Sequence, residues 1–239
     1  MASDFHLGAP TKDESLKREL IIIRWLNEIS KDAQAIILVG DIFDFWFEYK
    51  HVIPKSFIRF QGKIMELKDA GIEIIFFAGN HDLWMKDYFP SEFGIPVIHQ
   101  PVSVDIGNFK FHIAHGDGLG PGDRKFKFFK KIFTNPLAKW AFRWLHPDIG
   151  IGLAKSWSQH SKDHSVAPEL NGEGEWLPIY CKSVEENLHH DYYVMGHRHL
   201  PTQEPIGENS VYFNLGEWIN SYTYLEVSKD DVKLKAYEG

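Results

Sequence analysis

Five short polar clusters carry most of the chemistry open to this chain: Asp4-Phe5-His6, Gly40-Asp41-Ile42-Phe43-Asp44, Gly79-Asn80-His81-Asp82, His115-Gly116-Asp117 and Gly196-His197-Arg198-His199. Carboxylate, imidazole and amide groups bind divalent cations, and a pair of such cations activates water against phosphorus. Each cluster alone has an ordinary reading as a turn or a solvated loop. Together, each after an apolar run or at a turn, they point to a metal-dependent hydrolase.

The individual residues suggest roles. On a strand, the two-residue period would put Asp4 and His6 on one side, where they could hold one metal. Gly40 permits a sharp turn after the apolar run 35–39, freeing the Asp41 carboxylate to bridge two cations. Asp44 reads as a turn residue or a group behind the ligands. Asn80 offers a neutral oxygen, His81 can donate to a phosphoryl oxygen or a leaving group, and Asp82 could orient His81. His115 offers a neutral nitrogen, and the glycine-rich run 116–122 lets the backbone approach a phosphate. His197 and His199 can serve different metals. Eight further histidines, at 51, 99, 112, 146, 160, 164, 189 and 190, lack such a setting and read as structural or surface groups.

Positioning these groups requires a regular scaffold. Leu16, Leu20, Ile23 and Leu26 recur at helical steps, so 13–29 reads as an amphipathic helix, followed by a buried strand over 35–39. A second helix covers about 55–70 and stops at Gly71, before a buried strand at 72–77. This β-α-β rhythm sets clusters at the carboxyl ends of strands, the edge where open α/β sheets bind ligands. Later strands are expected at 102–106, 109–114, 191–195, 211–215, 222–227 and 232–237, the last three with no helix between them. The expected fold is α/β (α+β-like): two mixed β-sheets packed as a sandwich flanked by helices. It forms one domain over 1–239, with a helical cap insertion at about 121–170. Only Met1, Ala2 and Ser3 precede Asp4, too few for a presenting strand. The natural chain is therefore expected to begin several apolar residues upstream, which the codons before Met1 would test.

Composition narrows the setting. With 44% hydrophobic and 15% aromatic residues the chain can bury a sizeable core. Cys181 is the sole cysteine, so there is no internal disulfide framework, the site is built without thiolates, and a reducing compartment is expected. Cys181 itself reads as a plain helix residue. No apolar run nears the roughly 18 residues that cross a bilayer, which suggests a soluble or peripheral protein. Residues 121–146 hold seven cations against Asp123, a surplus of +6 on a chain of net charge −7, which leaves −13 elsewhere. Leu137, Trp140, Ala141, Trp144 and Leu145 share one helical face with Lys139 and Arg143 off it, and Phe126, Phe129 and Phe133 share another among lysines. Such helices suit an anionic membrane surface or a groove for acyl chains; the plain alternative is a cap with solvated lysines. The basic residues fill one helical segment without a reader motif, so no nucleic-acid partner is expected.

From Asp4 to His199 the clusters resemble, in type and order, those of the calcineurin-like metallophosphoesterase superfamily. That resemblance implies one metal on Asp4, His6, Asp41 and His199 and another on Asp41, Asn80, His115 and His197, with Asp41 bridging and His81 as the catalytic histidine beside Asn80. Within the superfamily the chain is similar to the UDP-2,3-diacylglucosamine diphosphatases of lipid A biosynthesis. The segments carrying this are His115-Gly116-Asp117 with Asp123 and the aromatic basic helix, Ser161-Lys162-Asp163, and Asn214-Leu215-Gly216-Glu217-Trp218. It departs from their best-known branch at His81 (Arg there), Phe126 (Tyr), Ser165 (Asn) and Pro168 (Lys). The similarity implies two divalent cations, manganese before iron or zinc, and a lipid-linked nucleotide sugar cut to UMP and a diacylated sugar 1-phosphate. It further implies substrate contacts from Asp123, Phe126, Ser161, Lys162, Trp140 and Trp144, and a place on the cytoplasmic face of the inner membrane. Rival readings are an enzyme of this fold acting on a soluble nucleotide or phosphodiester, and a non-catalytic interaction module.

Overall fold

The computed structural model describes residues 1–122, 124–153 and 175–239, without the side chains of 124–126. Helix α1 (Lys12–Ile29) starts at a capping box in which Thr11 accepts the Glu14 amide and donates to the Glu14 carboxylate at 2.6 Å. Its buried residues Arg18, Ile22, Trp25 and Leu26 follow the helical period. Strand β1 (Ala35–Val39) leads through α2 (Ile58–Asp69) to β2 (Glu73–Phe77), which pairs in parallel with β1 and with β3 (Val97–Ile98). Phe57, in the left-handed region at φ 59°, sets the start of α2 three residues later than the periodicity suggested.

Residues 1–3 carry the first cluster into the first sheet. Ala2 runs parallel to Leu38, donating to the Ile37 carbonyl at 3.1 Å and accepting from Val39 at 2.7 Å. On the other side, Met1 exchanges hydrogen bonds of 2.7 and 2.8 Å with Leu225 of β9 (Thr223–Val227). This short segment therefore joins β1 to β9, itself antiparallel to β10 (Val232–Ala236), and makes the first sheet mixed. The backbone just before Asp4 is therefore held from both edges, by β1 on one side and β9 on the other.

The second sheet follows the order β4 (Val102–Ile106), β5 (Phe109–Ile113), β6 (Tyr192–Met195), β8 (Val211–Asn214), β7 (Thr202–Pro205). Its central strands β5, β6 and β8 are parallel and its two edges antiparallel. Alternation along the strands divides the core into three layers. Ile37, Val39 and Phe77 meet Phe111, Ile113, Val194 and Phe213 between the sheets. Ile36, Leu38, Ile74 and Phe76 face α1 and α2, while Ala114, Tyr193, Met195 and Tyr212 face helix α5 (Trp176–Glu185), which holds buried Cys181. Strands covered on both sides read as unbroken apolar runs, which is how they stood out in the sequence.

Two helices, α3 (Arg124–Thr134) and α4 (Pro136–Arg143), enter the insertion, with Asn135 capping α4 through the amides of Leu137 and Ala138. Helix α4 stops at Arg143, so Trp144 and Leu145 lie past its end rather than on a continuous face. Phe142 packs on Phe47 and Trp84, and the Trp84 indole donates to the Phe133 carbonyl at 2.8 Å.

Trp218 connects the core to the site: it is fully buried, its ring lies 4.7 Å from Trp25 and 5.2 Å from Phe5, and its amide donates to the Asp4 carbonyl. Trp218→Ala should destabilise the protein by about 3–5 kcal/mol in denaturant titration. A loss below about 1 kcal/mol would show that this cluster does not anchor the first site loop.

Candidate metal centre

Because residues 1–3, β1, β2, β5 and β6 all run the same way, the five clusters emerge at one edge of the sandwich. Asp4 and His6 do not sit on a regular strand: their φ angles are 56° and 44°, in the left-handed region. They run instead along the second cluster, with amide bonds from Asp4 to the Gly40 carbonyl and from His6 to the Asp41 carbonyl. Asp41, His197 and His199 are left-handed too, at 51°, 69° and 55°. Gly40, at φ +85°, and Gly79 both back onto His115, and a Cβ on either would overlap its ring.

The buried ligand atoms face one another. Asp4 Oδ2 accepts from Ser3 Oγ at 2.5 Å and from the His197 amide at 3.0 Å. Asp4 Oδ1 has no hydrogen-bond partner and lies 3.1 Å from His199 Nε2 at an angle unsuited to one. His6 Nε2 is 2.9 Å from His199 Nε2 and 3.8 Å from Asp41 Oδ2. The same Asp41 oxygen is 3.3 Å from His115 Nε2, which lies 3.3 Å from Asn80 Oδ1. His115 Nδ1 donates to the Val39 carbonyl at 2.8 Å, which fixes the tautomer that leaves Nε2 as a donor atom for a metal. Asp4, His6, Asp41 and His199 form one group able to hold a cation, and Asp41, His115 and His197 form another. The orphaned Asp4 oxygen, the crowded imidazole nitrogens and the mixed nitrogen–oxygen donor set fit divalent metal.

Electrostatics accord with this. Burial would raise the Asp4 and Asp41 pKa values, but His199 and His6 around Asp4, and His115 around Asp41, hold both below the ordinary carboxylate value. Burial would lower His6, yet Asp4 and Asp44 lift it to about 9. His197 falls to about 3 through burial and the charge of His115, leaving it neutral and able to ligate.

One sequence expectation changes. Asp82 does not orient His81; its buried carboxylate accepts the amides of Gly79, Asp41, Ile42 and Phe43 and ties the second and third clusters together. The partner of His81 is Asp44, whose carbonyl accepts from His81 Nδ1 at 2.9 Å and whose carboxylate lies 3.7 Å from that nitrogen and 3.5 Å from His6 Nδ1. Asp123, Ser161 and Lys162, together with the Phe126 side chain, lie outside the described residues. Trp140 and Trp144 are 62% and 75% exposed and do not line the cleft beside the metal centre. That cleft, about 340 Å³, runs from Gly79 to the cap and is lined by Lys86, His99, Lys130, Lys139 and Arg143. Lys130 pairs with Asp117 at 2.5 Å.

Several supporting residues had no sequence signal. Asn214 Nδ2 holds the Gly196 carbonyl at 2.7 Å and so braces the fifth cluster. Arg198, between two candidate ligands, turns away to pair with Glu175 and stack over Trp176. Both lay in motifs already marked, Arg198 in Gly196-His197-Arg198-His199 and Asn214 in Asn214-Leu215-Gly216-Glu217-Trp218, but without a sign of these partners.

A two-sheet sandwich that gathers these groups at one edge defines a metal-dependent phosphoesterase. The chain belongs to the calcineurin-like phosphoesterase family, whose sequence model matches residues 2–201. It is 36% identical to a UDP-2,3-diacylglucosamine hydrolase of Porphyromonas gingivalis, across 93% of this chain and 90% of that one. A protein of the same name from Vibrio vulnificus is 24% identical across 98% and 95%. Among solved structures, a Vps29 single mutant from Entamoeba histolytica aligns with TM-score 0.43 at 13% identity, covering 98% of this chain and 87% of that one.

The raised His6 pKa sets a pH dependence. A folded value of about 9 against an ordinary 6.5 stabilises the metal-free protein below pH 6.5, and that contribution is lost as pH rises through about 9. A divalent cation must displace the proton, so its apparent affinity should rise by about tenfold per pH unit until then. Calorimetry in buffers of different ionisation enthalpy measures the proton released. Cation binding without proton release at neutral pH would count against His6 as a ligand.

Proposed function

We propose that this protein hydrolyses the pyrophosphate of UDP-2,3-diacylglucosamine at a two-metal centre, giving UMP and 2,3-diacylglucosamine 1-phosphate. The observation that carries this is the junction of the carboxylate–imidazole centre with a cationic cleft under an aromatic basic cap. The near full-length similarity to hydrolases of that name supports it. Asp4, His6, Asp41 and His199 would hold one cation and Asp41, Asn80, His115 and His197 the other, the Asp41 carboxylate serving both. When bound, the cations, manganese on this reading, supply the charge that makes water nucleophilic at neutral pH and offsets the phosphoryl oxygens.

The protein's own groups do the rest. With Nδ1 committed to the Asp44 carbonyl, His81 presents Nε2 to the reacting phosphoryl group, where it donates a proton or a hydrogen bond. Asn80 holds its oxygen beside His115 and orients the group in line. Water attacks the nucleotide-side phosphorus, the bond to the bridging oxygen breaks, UMP keeps the water oxygen, and the sugar 1-phosphate departs. Lys86, Lys130, Lys139 and Arg143 would neutralise the diphosphate in the cleft.

The cap supplies the lipid side of the reading. Phe128, Leu137, Trp140, Trp144, Ile149 and Leu153 are exposed at 62, 75, 62, 75, 57 and 59%, an apolar surface above a basic segment. On an anionic bilayer these residues would enter the acyl boundary while the lysines meet headgroups. The protein would then act peripherally on the cytoplasmic face of the inner membrane, with acyl chains near Trp140 and Trp144 and the sugar near Asp123, Phe126, Ser161 and Lys162.

With manganese, UDP-2,3-diacylglucosamine should turn over far faster than UDP-glucosamine or a simple phosphodiester; equal rates on all three would favour the soluble-substrate reading. His81→Ala should lower kcat by about 100-fold to 10,000-fold with cation binding retained. Trp140→Ser with Trp144→Ser should weaken sedimentation with anionic vesicles. If vesicle binding and turnover of acylated substrate both stayed at wild-type levels, the membrane role of the cap would be wrong.

A further inference from the structure

Arg18 stands out as a buried cation whose task the reaction does not define. It lies on α1, is 4% exposed, and forms no ion pair within 4 Å among the described residues. One nitrogen, Nη2, donates to the His6 carbonyl at 2.6 Å and also to the Ala9 carbonyl. One turn earlier on the same helix, Ser15 Oγ accepts the Gly8 amide at 2.7 Å. Helix α1 thus holds three backbone groups of the loop leaving the first cluster, the carbonyls of His6 and Ala9 and the amide of Gly8.

His6 has reason to need this hold. Its φ of 44° lies in the left-handed region, which a non-glycine residue keeps only where surrounding contacts enforce it. The amide side of His6 is fixed by the Asp41 carbonyl, and its carbonyl accepts from Arg18 at 2.6 Å and, at a longer 3.2 Å, from the Ala9 amide. The opposing charge that acts most strongly on Arg18 is that of Asp44, the carboxylate 3.5 Å from His6 Nδ1. Arg18 therefore bears on His6 from its backbone and from behind its ring. His115 and His197 have other supports, His115 from the Val39 carbonyl and the glycines that back onto its ring, His197 from the Asp4 carboxylate that accepts its amide.

We infer that Arg18 is a positioning residue that sustains one metal site selectively, the one built on Asp4, His6, Asp41 and His199, by locking His6 in its left-handed conformation. The inference rests on the two-metal reading above. Groups that orient a ligand without touching the metal typically contribute about 10-fold to 100-fold to affinity.

The test is manganese titration of the metal-free full-length chain, with free ion read by electron paramagnetic resonance and the fold read by near-ultraviolet dichroism. Wild-type protein should take up two equivalents; failure to do so would refute the two-metal reading itself. Arg18→Met should weaken one equivalent by about 10-fold to 100-fold and leave the other unchanged, and Arg18→Lys, which keeps a charged donor, should restore most of the loss. If Arg18→Met does not fold, Arg18→Gln, a neutral donor able to reach one carbonyl, is judged by the same split. Two equivalents of wild-type affinity in the variants, or parallel weakening of both, would overturn the inference.

Discussion

Five of the candidate metal ligands stand on backbone that their chain neighbours would not choose. Asp4, His6, Asp41, His197 and His199 account for five of the eight non-glycine residues with positive φ among the described residues. Aspartate and histidine tolerate this region better than most side chains, yet each instance still costs on the order of 1 kcal/mol. The sum is comparable with a sizeable fraction of the 5–15 kcal/mol by which domains are stable. Turning sharply at the end of each strand is what brings side chains from five segments within reach of two cations. The remainder of the molecule can be understood as the structure that enforces those turns.

Enforcement comes from two kinds of contact. Buried hydrogen bonds fix the loops to one another: Asp82 gathers four amides from two clusters, Asn214 braces Gly196, and Arg18 holds the His6 carbonyl. Apolar packing then fixes the loops to the sandwich, with Phe5, between Asp4 and His6, set edge-on against Trp25, Phe60 and Trp218. A ligand loop with an aromatic anchor in its middle cannot relax its backbone without opening the core. The strain at the centre and the burial beneath it are therefore coupled, and the carboxylates they bring together favour cations over water because burial leaves Asp4 Oδ1 without another partner.

The sequence disclosed what is local and concealed what is distant. Apolar runs such as Ile36 to Val39 announced buried strands, and glycine followed by aspartate, asparagine or histidine announced the loops. The limits of α1 and α2 were legible to within a few residues, from apolar periodicity and from the stop at Gly71. The grip of both sheet edges on residues 1–3 was not legible, since Leu38 and Leu225 are far apart in sequence. Nor was the role of Asp82: it stands beside His81 in sequence, and only the path of the folded backbone turns its carboxylate to amides and leaves Asp44, read as a group behind the ligands, next to the imidazoles. Arg18 looked like one more charged residue on an amphipathic helix, because nothing in helical periodicity distinguishes a solvated arginine from one that meets two carbonyls.

The insertion poses a different physical problem from the centre below it. Its inward side is polar where the cleft lies, with Lys130 held by Asp117 and Lys139 lowered in pKa first by burial and then by Lys86. A cluster of partly desolvated cations repels itself, and a multiply charged anion bound among them relieves that repulsion. Its outward side is apolar: with Leu137, Trp140 and Trp144 all more than half exposed, it leaves in water a surface that an ordinary soluble domain would cover. The two defects have one common remedy in a molecule that is anionic at one end and hydrocarbon at the other. A soluble nucleotide would relieve only the first, so the exposed aromatics favour the lipid-linked substrate on energetic grounds that are independent of sequence similarity.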